Sequence, residues 1–413
     1  MKIAFFLTEF PCLSQTFILN QITGLLDRGH EVEIFADKPS DEPQVHDDVI
    51  KYKLMSRTCF HRGKLDDMPK SKLYRTIKAA VYILRYMPKL PLSVLNTLNI
   101  FKYGRKAASF KLLFQMLPLF DKGPYDIIHC HFGPCGNFAL YLKSLRAIRG
   151  KLITSLHGYD MSNYIQVHGK EVYNDLFTKG DLFLPISERW RGDLIKLGCK
   201  EDKIIVHRMG IDINKFPFRS TVPLSNDNFN ILTIGRLVEK KGVEYGIRAV
   251  AKIITEFPGV QYKIVGDGPL KESLLMLLQA LNLEKNVELL GWKKQDEISK
   301  LMGWADILLA PSVTSSDGDQ EGIPVVLMEA SARGLPVVSS YHTGIPEIVR
   351  DRITGFLCPE RDVDELASKL KDLITMPELR QEMGLAARKH AEVHHNIENL
   401  NDRLVEIYRG LIT

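Results

Sequence analysis

The sequence predicts an α/β protein of two domains, each built on a parallel sheet with helices on both faces. Three observations lead to this prediction. The chain has 413 residues, which is more than one ordinary hydrophobic core accommodates. Short apolar runs alternate with segments of helical periodicity, the pattern of parallel strands joined by helices. A polar, turn-rich break at residues 219–228 separates two series of such units.

The first series consists of apolar runs that each precede a helical segment. Its strands are expected at residues 3–7, 32–36, 126–129, 152–156 and 182–186. Because ligands bind at the carboxyl ends of parallel strands, the loops after these strands would line a crevice. The first of these loops contains Ser14 and Thr16, and we expect one of them to cap the following helix.

The second series follows the break. Its strands are expected at residues 231–234, 262–265, 287–290, 307–310 and 336–340, and its helices at 243–257, 270–281, 363–374, 377–393 and 396–411. No strand follows the last three helices, so we expect at least one of them to pack on the first domain. The expected domains are therefore residues 1–210 and 211–392, followed by a terminal helix in residues 393–413.

The composition argues against several classes of protein. The apolar run at the start of the chain is too short for a secretion signal. The longest uncharged run, residues 90–101, is shorter than the roughly 20 apolar residues of a membrane-spanning helix. The six cysteines include no CxxC pair, which favours reduced thiols over a disulfide or zinc framework. We therefore expect the protein to reside in the cytoplasm.

Positive charge is concentrated in the basic segment, residues 51–122. This segment holds 16 Lys or Arg against three acids, whereas the rest of the chain holds 39 bases and 47 acids. Apolar groups at residues 79–84 and 110–114 lie between the bases, as in amphipathic helices on an anionic membrane surface. A solvated basic face is the alternative. No nucleic-acid partner is expected, because no nucleic-acid-binding motif accompanies the charge.

The strongest chemical signal follows the fourth strand of the second series. Pro324 suits the first position of a helix, so the amides of Gly322 and Ile323 would form an anion site at the helix start. Glu321 lies at this site. Glu329 follows among apolar neighbours, where a carboxylate needs a polar partner such as the vicinal hydroxyls of a sugar. A capping acid and a solvent-facing acid are the alternative interpretation.

Two glycine-containing loops of the second series suggest contacts to a nucleotide. Arg236 and Lys241 follow the first strand on a loop that begins at Gly235, where two cations could bind a diphosphate without a metal. Gly266 and Gly268 follow the next strand and would let the backbone approach a base or a ribose. Each loop could instead be an ordinary surface loop.

Two strands of the first series end in histidine-containing segments. His157, followed by a glycine and then by Asp160, would point into the crevice, although a lone histidine is more often structural. His131 belongs to a His-Cys-His-Phe-Gly run. The two histidines of this run are too close together, without further ligands nearby, to favour a metal site.

Together these motifs resemble the GT-B retaining glycosyltransferases of family four, whose signature is two glutamates at the spacing of Glu321 and Glu329. The Gly-Arg-Leu run at 235–237, Val-Gly-Asp-Gly-Pro at 265–269 and His-Gly-Tyr-Asp at 157–160 extend the resemblance over most of the chain. The start of the chain and the His-Phe-Gly run are similar to a bacterial subgroup that builds exopolysaccharides of the colanic acid and amylovoran type.

The resemblance implies a role for each of these residues. It assigns Arg236 and Lys241 to the donor diphosphate and Glu329 to the ribose. It assigns Glu321 and the amides after it to the sugar, and His157 to the reacting hexose. The acceptor-side candidates lie on loops of the first domain and are Ser14, Thr16, His131 and Asp160.

The implied reaction is retaining transfer of a hexose from a nucleotide-diphosphate sugar to a saccharide acceptor, without a metal or another cofactor. Asp317 and Asp319 resemble the metal-binding DxD pair of a different glycosyltransferase fold, and we interpret this likeness as coincidence. The basic segment favours a lipid-linked acceptor at the inner face of the plasma membrane. A nucleotide-sugar 2-epimerase of the same fold and a catalytically silent sugar-nucleotide-binding protein are the alternatives.

Overall fold

The computed structural model describes residues 1–12, 15–41, 45–61, 68–120, 122–218 and 229–413. Ser14 and the expected break at residues 219–228 lie outside these ranges. Within them the chain forms two six-stranded sheets in which neighbouring strands are parallel. The residue boundaries of the domains stay predictions.

The first sheet is built by the N-terminal half of the chain. Its strands are β1 (Lys2–Glu9), β2 (Glu31–Lys38), β3 (Thr58–Phe60), β4 (Ile127–His131), β5 (Lys151–Leu156) and β6 (Leu182–Pro185). Their order across the sheet is β3-β2-β1-β4-β5-β6. The central strands β1 and β4 are buried over most of their length because helices cover both faces of a parallel sheet.

The helices of this half connect the strands and also fill the long excursion between β3 and β4. They are α1 (Thr16–Asp27), α2 (Asp47–Lys51), α3 (Lys72–Tyr86), α4 (Pro91–Thr97), α5 (Ile100–Tyr103), α6 (Arg105–Ala108), α7 (Lys111–Phe120), α8 (Gly133–Ser144), α9 (Asn163–His168), α10 (Asn174–Lys179) and α11 (Glu188–Lys196).

The second sheet repeats this arrangement with order β12-β11-β10-β7-β8-β9. Its strands are β7 (Phe229–Ile234), β8 (Val260–Val265), β9 (Val287–Gly291), β10 (Ile307–Ala310), β11 (Val337–Ser340) and β12 (Gly355–Cys358). Its helices are α12 (Val243–Ile253), α13 (Lys271–Ala280), α14 (Gln295–Trp304), α15 (Val325–Arg333), α16 (Val363–Thr375), α17 (Pro377–His394) and α18 (Ile397–Ile412).

The expected βα alternation is confirmed, with three omissions. The sequence prediction missed the edge strands β3 and β12 and the helix α14. β3 (Thr-Cys-Phe) is too short for a periodic pattern, and β12 (Gly-Phe-Leu-Cys) begins with a glycine, which is depleted in strands. Met302 is the one fully buried residue of α14, so the sequence of this helix shows only a weak amphipathic pattern.

The basic segment contains two kinds of helix, whereas the sequence suggested one. α7 was expected to be a surface helix, but its apolar residues are buried in the first core, among them Leu113 and Phe114. α3 keeps an exposed apolar face instead, because its fully buried residues are Ala79 and Tyr86. None of the helices in the described ranges combines the length and hydrophobicity that a membrane crossing requires.

The last helix returns to the first half of the chain. Arg28, the C-cap residue of α1, pairs with Glu398 and Asp402 of α18 at 2.9 and 2.7 Å. The Tyr408 hydroxyl of α18 lies 2.6 Å from Nδ1 of His129 in β4. α18 therefore covers one face of the first sheet and carries a side chain into its core.

Candidate active site

An open cavity of about 440 Å³ lies where the carboxyl ends of the two sheets face each other. This volume is in the range of small-molecule sites. Its walls come from both halves of the chain. They are formed by Gln15, Phe17, Phe132, His157, Gly158, Tyr159, Ile186, Met209, Ile234, Gly235, Arg236, Lys240, Lys241, Gln320, Glu321, Gly322, Ile323, Pro324, Val325 and Val326.

Glu321 is the one carboxylate among these lining residues. Its Oε2 lies 3.2 Å from Lys241 Nζ and its Oε1 lies 3.6 Å from Lys240 Nζ. Burial alone would raise the pKa of Glu321, but the two lysines and His342 outweigh burial and hold this pKa below its ordinary value. Oε1 has no hydrogen-bond partner in the described part of the chain. Glu321 is therefore an ionised carboxylate with one oxygen that accepts no hydrogen bond from the described residues.

The backbone of Glu321 is fixed by residues that the sequence did not reveal. Its amide donates to His342 Nε2 at 3.1 Å, and Nδ1 of the same ring lies 2.6 Å from Glu360. The Thr343 hydroxyl donates to the Glu321 carbonyl at 2.7 Å. His342 and Thr343 follow β11. A histidine just after a predicted strand was the one feature of the sequence that could have identified them as site residues. Lys240 was missed although it adjoins Lys241.

The helix after Glu321 begins one residue later than expected. Pro324 is the N-cap of α15 and not its first residue, because its ψ of 123° is extended and the helical backbone begins at Val325. The first amides of a helix lack intrahelical acceptors. The candidate anion site therefore combines the amides of Val325 and Val326 with the preceding loop, where Gly322 and Ile323 line the cavity as expected.

The two expected cations lie on the loop after β7, on the same side of the cavity as Glu321. Arg236 is exposed, lines the cavity and has no ion-pair partner within the described residues. The Lys241 side chain runs beside Gly235, where an added Cβ would lie 3.3 Å from its Cδ. Lys241 is thus paired with Glu321, whereas Arg236 has no ion-pair partner among the described residues. Two neighbouring cations suit a ligand with two negative charges.

Gly266 and Gly268 do not line this cavity. They bring the loop after β8 against the loop after β7, since an added Cβ would lie 1.9 Å from the Gly235 carbonyl oxygen or 2.6 Å from that of Leu237. Both glycines have positive φ, at 141° and 158°. Their contribution to the site is therefore to position the loop that carries Arg236.

The two halves meet at backbone level beside Glu321. A Cβ on Gly322 would lie 2.2 Å from the His157 carbonyl oxygen, and one on Gly158 would lie 3.0 Å from the Gly322 amide nitrogen. These glycines let His157 and Glu321 line one cavity from opposite sides.

Asp160 supports the site from below. Its Oδ1 accepts from the amides of His157 and Gly158 at 3.0 and 2.9 Å, and its Oδ2 accepts from Gly133 at 3.0 Å. Burial raises the pKa of Asp160, and these amides offset part of the effect. Its carboxylate lies outside the cavity lining and ties the loop after β4 to the loop after β5.

The loop after β1 reaches the cavity through residues that were not expected. Gln15 is the N-cap of α1 and makes no side-chain cap bond, and Thr16 is the first helical residue. The proposed cap at Thr16 is therefore wrong, because the backbone turns at Gln15, whose amide donates to the Cys12 carbonyl. Gln15 and Phe17 line the cavity, whereas Thr16 does not. The position of Gln15 in the loop after β1 was the sequence feature that could have identified it as a cavity residue.

Phe132 was also missed and forms part of the first-domain wall. Its backbone has φ 74° and ψ 141°, a region that residues other than glycine rarely occupy. The ring lies 4.7 Å from the His157 ring, centroid to centroid. His131 beside it is fully buried and lies outside the cavity lining.

A second cavity of about 210 Å³ lies on the other side of the first turn of α8. Polar groups on its walls include Thr8, Asp37, His61 and Gln115. His61 is buried, with Nε2 3.0 Å from Asp37 Oδ1 and its ring stacked on Phe138.

No cluster of three or more His, Cys, Asp or Glu in the described ranges has the arrangement of a metal site. The DxD-like residues have other partners. Asp319 pairs with Lys240 at 2.9 Å, and Asp317 accepts from the Asp319 amide at 3.0 Å.

Glu329 is half-buried one turn into α15 and does not line the cavity. Burial raises its pKa to about 7, although Arg333 and a hydrogen bond with Gln295 offset part of the effect. Protein groups therefore supply the polar partners that the sequence led us to expect from a ribose. Gln295 begins α14, beyond the loop that follows β9.

The raised pKa of Glu329 predicts a pH dependence of stability. Between its ordinary value of 4.5 and about 7, the folded protein holds the proton and the unfolded chain does not. The contribution of Glu329 to the free energy of unfolding is therefore greatest at low pH and decreases as the pH rises through this window. Glu329→Gln should remove this decrease. Urea unfolding of wild type and variant across the window measures it.

Glu272→Gln provides the control, because Glu272 is an exposed glutamate on α13. Its pH profile should match that of the wild type. If Glu329→Gln also gave the wild-type profile, Glu329 would titrate normally in the folded protein.

Comparison with known proteins agrees with this architecture. Residues 215–390 match the model for glycosyl transferases group 1, and residues 80–215 match the model for glycosyltransferase family 4. The chain is 37% identical over 413 residues to a putative colanic acid biosynthesis glycosyltransferase of Salmonella typhimurium. It is 39% identical over 415 residues to the amylovoran biosynthesis glycosyltransferase of Erwinia amylovora. Both alignments cover 100% of each chain.

Solved structures share the fold at lower identity. An Anabaena protein in complex with UDP-glucose aligns with TM-score 0.68 and 18% identity over 99% of this chain and 100% of its own. Sucrose-phosphate synthase of Thermosynechococcus elongatus aligns with TM-score 0.69 and 20% identity over 100% and 99%. The two facing sheets are the GT-B fold, and the full-length relatives decide the family. The chain belongs to the family 4 glycosyltransferases, with a group 1 domain in its C-terminal half.

Proposed function

We propose that this glycosyltransferase moves a hexose, with retention of configuration and without a metal, from a nucleotide-diphosphate sugar to a saccharide acceptor. The observation that carries the proposal is the arrangement around Glu321. An ionised carboxylate lies between two lysines on one wall, a helix start adjoins it, and His157 faces it from the other half. The solved UDP-glucose complex of the same fold supports a nucleotide sugar as the donor class.

The cations would act on the leaving group. Departure of the diphosphate places negative charge on its terminal oxygens, and Arg236, Lys241 and the amides at the start of α15 can stabilise this charge. No metal is needed in this scheme. The bond between the anomeric carbon and the diphosphate oxygen breaks, and the acceptor oxygen bonds to the same face. The hydroxyl proton passes to the departing oxygen.

Glu321 would bind the sugar rather than attack it. A carboxylate nucleophile must reach the anomeric carbon from the face opposite the leaving group. Glu321 instead shares its wall with Lys240 and Lys241, the cations of the phosphate side. Its Oε1 has the charge of Lys240 3.6 Å away but no hydrogen-bond partner in the described residues, so it is suited to accept hydrogen bonds from hydroxyls.

The acceptor class is proposed from the relatives and from the basic segment. Full-length relatives are named for colanic acid and amylovoran biosynthesis, which supports a role in exopolysaccharide or other cell-surface glycan synthesis. A lipid-linked saccharide at the cytoplasmic face of the plasma membrane would bring such an acceptor to the protein surface.

A donor screen tests the proposal directly. UDP-glucose, UDP-galactose, UDP-N-acetylglucosamine and GDP-mannose are incubated with the protein in EDTA, and release of free hexose and nucleoside diphosphate is followed. Slow release from one donor without metal is expected. Release that depends on added manganese would contradict metal independence. Epimerised nucleotide sugar would favour the 2-epimerase, and binding without any turnover would favour a silent binding protein.

The exposed face of α3 carries the membrane proposal. Leu73, Ile77, Val81 and Leu84 share this face and are 74, 55, 58 and 76% exposed. Their spacing places them along one side of the helix. Basic residues lie beside them and between them in the sequence, so an anionic lipid surface offers both an apolar phase and complementary charge.

Charge reversal at Lys72, Arg75 and Lys78 should weaken binding to anionic vesicles. Each base near such a surface contributes about 1 kcal/mol, so the triple change to glutamate should reduce the partition coefficient by about 100-fold or more at low salt. Cosedimentation with phosphatidylglycerol vesicles measures this, and phosphatidylcholine vesicles provide the neutral control.

A matched variant reverses Lys196, Lys285 and Lys389, which are exposed bases outside the basic segment. It should bind anionic vesicles nearly as well as the wild type. Equal loss in both variants would indicate a response to net charge and would contradict a specific role of α3.

A further inference from the structure

Three histidine rings form a ladder beneath the cavity. The ring centroids of His129 and His131 are 4.6 Å apart, and those of His131 and His157 are 5.2 Å apart, with stacked rings in both pairs. Phe5 stacks on His131, and Phe17 lies against both His131 and His157. All three histidines are buried, and His157 is the member that lines the cavity.

One hydrogen bond joins the upper two rings. His131 Nδ1 lies 3.0 Å from His157 Nε2. The remaining nitrogens, His131 Nε2 and His157 Nδ1, are buried and have no partner in the described part of the chain. Burial lowers the pKa of His157 to about 3 and the pKa of His131 well below its ordinary value, so both rings are neutral near pH 7.

Two neutral rings share a single hydrogen between Nδ1 and Nε2. If His157 donates, its Nδ1 is bare and His131 carries a hydrogen on Nε2. That N–H would be buried beside Phe5 and Phe17, which offer no acceptor oxygen. If His131 donates, its Nε2 is bare and the hydrogen of His157 is on Nδ1. In either case one buried N–H has no acceptor among the described residues, on His131 in the first case and on His157 in the second. Donation by His131 is favoured because His157 lines the cavity, where a bound substrate can supply the missing acceptor, whereas His131 does not.

We propose that His131 is a positioning residue that sets the tautomer of His157. It donates from Nδ1 to His157 Nε2 and so keeps the hydrogen of His157 on Nδ1, where it donates to an oxygen of the bound hexose. The Nδ1–H of the free protein has no acceptor in the described residues, and the substrate supplies one. The inference rests on the proposed function, because it assumes that a sugar occupies the cavity.

His129 provides a control within the same ladder. Its Nδ1 lies 2.6 Å from the Tyr408 hydroxyl and its Nε2 lies 2.7 Å from the Ser155 hydroxyl. Both of its nitrogens are thus used by partners other than His157. His129 shares the burial and stacking of His131 but makes no hydrogen bond to the ring that lines the cavity.

Ring nitrogen chemical shifts decide the tautomer without any turnover. The protein is labelled with ¹⁵N-histidine, and the His157 signals are assigned by their loss in His157→Gln. We expect a protonated Nδ1 and a bare Nε2 in the wild type. A protonated Nε2 on His157 would overturn the proposal. This measurement stands even if no donor in the screen is turned over, which would refute the proposed function alone.

Kinetics of hexose release test the consequence. His131→Phe keeps a stacked ring without the hydrogen bond and should lower kcat/KM by about 10-fold. His131→Asn places an amide donor near the position of Nδ1 and should recover most of that loss. His129→Phe should lower the melting temperature while changing kcat/KM of the folded protein by less than about twofold. Equal kinetic losses in His131→Phe and His129→Phe would reduce His131 to a packing residue.

Discussion

Replacing Glu321 with glutamine is expected to lower the kcat of hexose release by about 100-fold to 1,000-fold. The amide keeps the shape of the side chain but removes the charge that Lys240 and Lys241 neutralise. It also replaces one strong acceptor with a donor at the position where sugar hydroxyls would bind. Single-turnover release from the best donor of the screen measures the effect.

Asp319→Asn is the matched control for this substitution. Asp319 also pairs with Lys240, at 2.9 Å, but its side chain does not line the cavity. Its turnover should remain within about threefold of the wild type. Unchanged turnover in Glu321→Gln would refute the role of Glu321. A covalent hexosyl adduct on Glu321, detected by mass spectrometry, would show that it is a nucleophile.

Removal of the cations on the cavity wall should produce the second large effect. Arg236→Met and Lys241→Met should each lower kcat/KM for donor hydrolysis by about 100-fold, because each removes a charge-assisted bond to the leaving diphosphate. Lys241→Met should also raise the pKa of Glu321, since the charge of Lys241 is the largest effect that lowers it. The combined variant should therefore not show simple additivity.

Lys271→Met is the control for the cation variants. Lys271 is a partly exposed cation of the same sheet domain, 3.6 Å from Asp267, and lies outside the cavity lining. Its kcat/KM should equal that of the wild type. If Arg236→Met behaved like this control, the unpaired guanidinium would not contact the diphosphate.

Much of the fold could be predicted because it depends on local patterns. β1 and β10 are apolar runs that end at turn or polar residues, and each is followed by a helix. Hydrophobic periodicity and the order of the segments were therefore sufficient to predict these strands. β3 and β12 were not predictable because their few residues pair at sheet edges through tertiary contacts. The burial of α7 was not predictable for the same reason, because it depends on tertiary contacts of its apolar side chains.

The candidate site divides in a similar way. Arg236, Lys241 and Glu321 occupy the cavity wall because their loops follow strand ends, which the sequence shows. The partners that tune them come from distant segments, as His342 does for Glu321, and no spacing rule connects these residues. His131 and Asp160 also appeared as site candidates, and the structure places both beneath the cavity, where they contact His157.

The configuration of the released hexose is the most direct test of retaining transfer from a nucleotide-diphosphate sugar. In slow donor hydrolysis, water takes the place of the acceptor. Proton NMR recorded before mutarotation identifies the anomer that forms first. We predict the anomer present in the donor, because water attacks the face from which the diphosphate departs. First formation of the opposite anomer would contradict the proposed mechanism.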